Sequence, residues 1–123
     1  MEGTFADQAM ERIFGAPKPL IGVVHLLALP GSPAFDRGAG MRPIVEAARH
    51  DALTCQEAGV DAIMFCNEGD LPYRVEVTME QATAMAAVIG EVAPEVTIPF
   101  GVDMLWDPFA TLAVGDRKST RLN

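Results

Sequence analysis

His25, Glu68 and Asp103 each stand where an apolar run gives way to polar residues. Leu20-Ile21-Gly22-Val23-Val24 leads into His25, Val60 to Cys66 leads into Asn67-Glu68, and Val96 to Val102 leads into Asp103. An imidazole that titrates near neutrality, set beside carboxylates, suits general acid–base catalysis. The same residue types bind divalent cations, but three donors at unknown distance do not define a metal centre, and none is assigned. Gly31-Ser32-Pro33 offers backbone N–H groups and a hydroxyl to a phosphate or carboxylate. Asn67 and Asp107 add polar groups at two further run ends. The reading is therefore His25, Glu68 and Asp103 as catalytic groups, with Gly31, Ser32, Asn67 and Asp107 binding ligand. Each has a plainer alternative. His25 suits a core histidine bonded to backbone, Glu68 a solvated loop acid, and Gly31-Ser32 an ordinary turn. Asp107, directly before Pro108, suits a helix N-cap. Cys66 has no activating base in sequence and reads as a small buried hydrophobe rather than a nucleophile.

The elements that must position these groups alternate. Leu20 to Leu26, Val60 to Cys66 and Val96 to Val102 are short, β-branched-rich runs that read as buried strands. Between the first two, Pro43 to Ala58 reads as a helix, with Ile44, Ala47, Ala48, Leu53 and Ala58 on its apolar stripe and Gly59 as its left-handed stop. Between the second and third, Thr78 is the N-cap of a helix from Met79 to about Val92, with Met79 and Met85 read as core. Asp107-Pro108 opens a third helix. Glu46, Asp51, Glu57, Glu91 and Glu95 fall on solvated helix faces. Strand and helix alternating with short connections imply right-handed crossovers and a parallel sheet. A doubly wound sheet and a (β/α)8 barrel both use that unit, and no G-x-G-x-x-G follows the first strand to favour a dinucleotide fold.

Composition narrows the partners. Half of the 123 residues are apolar and 21% are charged, as in globular proteins. Seventeen acids against nine bases give a net charge of −8, which argues against a nucleic-acid groove or an anionic membrane surface as partner. No apolar run is long enough to span a bilayer, and Met1 to Lys18 lacks the apolar core of a secretory signal. Cys55 and Cys66 are accordingly expected to be reduced thiols of a cytoplasmic protein. The last eight residues, Asp116 to Asn123, break the composition and resemble a translated sequencing adapter in every position. They are read as an artefactual tail, leaving residues 1–18 as an N-terminal extension and 19–115 as the folded part.

Three segments together resemble one family. Gly22-Val23-Val24-His25-Leu26 runs on to Leu29-Pro30-Gly31-Ser32-Pro33; Gly59 to Glu68 and Ile98 to Pro108 complete the set. They look like the BtpA family of photosystem I biogenesis proteins, and within it the SgcQ-like branch. The chain departs from the family's pattern at Leu27-Ala28, where a Pro-Pro pair is usual, and at Asp103, where Asn is usual. The resemblance implies an α/β fold: the first three βα units of a (β/α)8 TIM-type barrel of roughly twice this length, related to phosphate-binding barrels, whose phosphate loops follow strands seven and eight. It implies a metabolic enzyme, of aldolase, isomerase or hydrolase type, acting on a small phosphorylated sugar-like ligand and inactive in this truncated form. The other function it implies is a non-catalytic biogenesis factor for a membrane complex, peripheral to the membrane. No cofactor is named by either reading, and homo-oligomerisation is left open. In the barrel, His25, Glu68 and Asp103 are expected at the C-terminal rim within about 12 Å of one another, given the spacing of adjacent strands.

Overall fold

A computed structural model describes residues 4–119, with side chains described through 116. Strand β1 (Ile21–His25) is followed by helix α2 (Arg42–Ala58), β2 (Ala62–Cys66), α3 (Met79–Val92), β3 (Phe100–Asp103) and α4 (Pro108–Ser119); helix α1 (Phe5–Phe14) precedes them all. The three strands are parallel in the order β1-β2-β3, with Ile21 opposite Ala62 and Ile63 opposite Phe100. Strand order follows chain order without reversal. That is the arrangement of consecutive barrel units; a doubly wound sheet of order 2-1-3-4-5 would already reverse at its third strand, while one of order 3-2-1-4-5-6 shares this arrangement through its first three strands.

Alternation along each strand separates two faces of the sheet. Val24, Ile63 and Phe65 are buried under the helices, and the Phe65 and Phe100 rings meet edge to face at 5.9 Å. The matching stripes are Ile44, Ala48 and Ala52 on α2 and Ala84, Met85, Val88, Ile89 and Val92 on α3. These residues form one continuous core. On the opposite face Ile21 and Val23 are exposed at the position that a closed barrel turns inward.

Helix ends follow local chemistry. Thr78 accepts from the Gln81 N–H and Gln81 returns the bond, a capping box that starts α3 where the sequence places it. Gly59, at φ +91°, ends α2 with its N–H on Cys55 and Gln56 carbonyls. Residues 5–14, within the N-terminal extension, are helical, begun by a Thr4–Asp7 capping box and stopped by Gly15. Three expectations need correction. Met79 is 85% exposed rather than core, because it is the first residue of α3 and lies outside the Ala84–Val88 stripe. The α2 stripe buries Ala52, whereas Leu53 is half-buried and Ala58 exposed. Strand β3 starts at Phe100, not Val96: a 3-10 turn over Ala93–Glu95 precedes it, and Pro99 has no N–H to give a ladder. Helix α4 continues through Gly115 to Ser119, so the expected tail is helical over Asp116–Ser119, while Thr120 to Asn123 lie outside the described residues.

Candidate functional site at the carboxyl ends of the strands

The last residues of β1 and β2 and the end of β3 form one row: His25 pairs with Cys66, and Cys66 with Asp103. All three occupy the strand positions that belong to the open face, alternating with Val24, Phe65 and Val102 on the helix side. Two intervals between neighbouring strands put the His25 and Asp103 backbones about 10 Å apart. Beyond the row, the exposed Glu68 joins His25 in lining a hollow of about 550 Å³, with Phe35 and Asp36 from the loop after β1 and Ile44 from the start of α2. Asp103 lines a different hollow of about 440 Å³ with Trp106 and Thr111. The structure thus brings His25 and Glu68 into one cavity and sets Asp103 at the mouth of the next.

Cys66 lies between the two hollows. Its thiol is pushed up to about 11, first by burial and then by the negative charges of Asp103 and Glu68. Both carboxylates therefore bear on the same sulfur, which stays protonated at neutral pH and is a poor nucleophile. Cys55 is likewise a free thiol.

The residues read as ligand-binding are engaged inside the protein. Gly31, at φ +95°, packs on the start of α3, where a Cβ would stand 2.7 Å from the Thr78 hydroxyl. Ser32 closes a turn through its N–H on the Leu29 carbonyl. Its buried hydroxyl has no partner in hydrogen-bonding geometry, yet it lies near enough to Asp70 to act on that carboxyl. Asn67 is fully buried: its amide oxygen accepts from Leu105 N–H at 2.6 Å and its amide nitrogen donates to Asp70 Oδ2 at 3.1 Å. Asp107 caps α4 by accepting from the Phe109 and Ala110 N–H groups and reaches across to the Val77 N–H at 2.9 Å. These bonds hold its carboxyl below the usual carboxylate range.

Asp70 was not singled out by the sequence, although it is 1% exposed. One carboxylate oxygen accepts from Leu29 N–H at 2.8 Å; the other takes Asn67 and, at 3.4 Å, the Gln81 amide. Burial pushes its carboxyl up, against the opposing pull of Leu29, Asn67 and Ser32. The signal available in sequence was the polar run Asn67-Glu68-Gly69-Asp70 directly after an apolar strand. Gly69, within it, has its N–H on the Leu26 carbonyl at 3.1 Å.

Among the described residues no Lys or Arg lines either hollow, and no group of three His, Cys, Asp or Glu is placed to hold a metal. No described helix is long and apolar enough to cross a membrane. Residues 16–121 match the sequence model of the BtpA family. The chain belongs to that family. Among its BtpA-family relatives, the sgc region protein SgcQ of Escherichia coli (strain K12) is 44% identical over 102 residues, covering 83% of this chain and 38% of SgcQ. An uncharacterized protein of Pyrococcus abyssi is 48% identical over 88 residues, covering 72% of this chain and 33% of that protein. The photosystem I biogenesis protein BtpA of Synechocystis sp. is 32% identical over 103 residues, 82% of this chain and 35% of its own length. The chain spans little more than a third of the relatives it matches. No solved structure matches it. The parallel sheet with alternating helices is the N-terminal part of the family's β/α barrel.

Proposed function

We propose that this chain supplies the acid–base side of a metabolic barrel enzyme acting on a small phosphorylated, sugar-like metabolite. The observation that carries the reading is the shared hollow of His25 and Glu68 at the carboxyl end of a parallel sheet, the end at which β/α barrels do their chemistry. Glu68 is exposed and acts as base; His25 faces the same space and acts as the partner acid, with Asp103 completing the row. On this reading the phosphate is held elsewhere in the barrel, at its usual place after strands seven and eight. This side of the mouth then meets the reacting carbon and its hydroxyl groups.

The test is deuterium incorporation from D2O into a panel of aldose and ketose phosphates, followed by NMR, with the full-length protein that carries this sequence. Exchange is expected in at least one compound, with a loss of about 100-fold or more in Glu68→Gln, the range for removing a general base. Exchange that Glu68→Gln leaves unchanged would overturn the assignment.

A second reading, an assembly factor for a membrane complex, is favoured by one observation: α1 presents Phe5, Met10 and Ile13 to solvent with no buried residue. The Synechocystis relative's name points the same way. On that reading Ile13→Asp abolishes function and Glu68→Gln does not.

A further inference from the structure

His25 ends β1 and Glu68 stands in the loop after β2, and among the described residues nothing bonds their side chains to each other. What fixes one loop against the other lies underneath. The β1 loop passes so close to Gly69 that an added Cβ would stand 2.5 Å from the Ala28 nitrogen. Gly69 N–H bonds the Leu26 carbonyl at 3.1 Å, and Leu29 N–H bonds Asp70 Oδ1 at 2.8 Å. These two bonds, made by Gly69 and Asp70, thus clamp the loop that leaves His25 to the loop that carries Glu68. The same carboxylate reaches the third loop through Asn67, whose amide holds Leu105 N–H at 2.6 Å, and reaches α3 through Gln81. Asp70, itself in the second βα loop, is therefore bonded directly to the first and through Asn67 to the third.

We propose that Asp70 is the positioning residue of this site: a buried carboxylate that sets the β1, β2 and β3 loops at one spacing and so holds Glu68 across the hollow from His25. This rests on the acid–base reading for its consequence, though the geometry it asserts stands apart from it. The direction of the hydrogen bonds is what matters. Both oxygens of Asp70 accept, from a backbone N–H and from two side-chain amides, so a buried acceptor-only group is required at this point. An Asn at position 70 presents an N–H2 group to the Asn67 and Gln81 donors, and the pattern fails at nearly unchanged volume. Exchanging the two residues, Asn67→Asp with Asp70→Asn, restores its shorter bonds: the new carboxylate at 67 accepts from Leu105 N–H and from position 70, and the new amide oxygen at 70 accepts from Leu29, while the two 3.4 Å bonds, from Gln81 to position 70 and from position 67 to the Leu105 carbonyl, are lost.

The experiment is NMR on the full-length protein that carries this sequence, with Asp70→Asn, Asp70→Ala and the Asn67→Asp/Asp70→Asn exchange. Amide hydrogen exchange is read at Leu29 and Leu105, with Phe65 in the central strand as reference. The His25 imidazole resonance is read against that of His50, exposed on α2. Asp70→Asn is expected to raise exchange at Leu29 and Leu105 at least 10-fold and to move the His25 resonance, while Phe65 and His50 stay unchanged; the exchanged pair is expected to recover at least half of the lost protection. A uniform rise that includes Phe65, with no recovery in the exchanged pair, would mean that Asp70 only adds stability, and the proposal fails. It fails equally when Leu29 alone responds, since the connection to the β3 loop is then absent. Unfolding of Asp70→Ala leaves the decision with the exchanged pair, which folds and recovers on this proposal and does not otherwise. The two readings separate: loops released by Asp70→Asn together with unaltered deuterium incorporation in Glu68→Gln retire the acid–base assignment and leave the positioning role intact.

Discussion

A methyl group added at Gly69 would stand 2.5 Å from the Ala28 nitrogen and 2.9 Å from both the Leu26 oxygen and the Leu27 carbonyl carbon. All three are backbone atoms, and the loop they belong to is held by the Leu29–Asp70 bond, so no side-chain rotation relieves the overlap. Gly69→Ala must part the first two βα loops, breaking the 3.1 Å bond from Gly69 N–H to Leu26. The expected cost is about 3 kcal/mol, the upper part of the range for overpacking a well-packed site. For a domain of this size that corresponds to a fall of roughly 12 °C in Tm. Two other glycines calibrate the figure. At Gly22 the added Cβ meets the Cys55 Sγ at 2.9 Å, a side-chain atom, so Gly22→Ala is expected to cost about 1 kcal/mol and to be relieved in part by Cys55→Ala. At Gly101 nothing lies within 4 Å, and Gly101→Ala is expected to fall within about 0.5 kcal/mol of the parent. Thermal unfolding by circular dichroism gives the order, and amide exchange at Leu29 locates the damage. Equal melting of the Gly69→Ala and Gly101→Ala proteins, with Leu29 still protected, would refute the close-packed loop pair.

With its thiol held near 11, against an ordinary 9.0, Cys66 is expected to carry about 100-fold less thiolate at pH 8 than an unperturbed cysteine. Iodoacetamide labelling followed by mass spectrometry should therefore modify Cys55 first, and Asp103→Asn should speed labelling at Cys66; equal rates with and without the Asp103 charge would remove that carboxylate from the site. Asp70 and Asp107 respond oppositely to acid. Asp107, lowered below 3.8 by its backbone donors, contributes stability that is present above 3.8 and lost as pH falls through the folded value. Asp70, raised above 3.8 by burial, contributes stability that is present below 3.8 and lost as pH rises through the folded value. Denaturant unfolding between pH 3 and 7 should accordingly show a shallower acid loss in Asp107→Asn and a steeper one in Asp70→Asn, and the reverse order would contradict the assigned environments.

Local chemistry determined the three helices that follow the strands from the sequence alone, but not α1 or the start of β3. Thr78 and Gln81 start α3, Gly59 ends α2 and Asp107-Pro108 starts α4, because each cap is a contact between residues only a few positions apart. The parallel order followed from strands separated by helices, and the family from three short segments. Sequence also located His25, Glu68 and Asp103 at strand ends. It did not determine which way they face: a continuous apolar strand such as Ala62–Cys66 has no polar alternation to mark its two sides. Tertiary pairing settled that, setting His25, Cys66 and Asp103 in one row and giving Cys66 a place between two carboxylates. Asp70 was illegible for a related reason. Its partner Leu29 lies 41 positions away, and Asn67 meets Leu105 across 38, so no periodicity or spacing within one segment records either bond. Capping is encoded where it acts; a buried carboxylate acquires its meaning only when distant loops close around it.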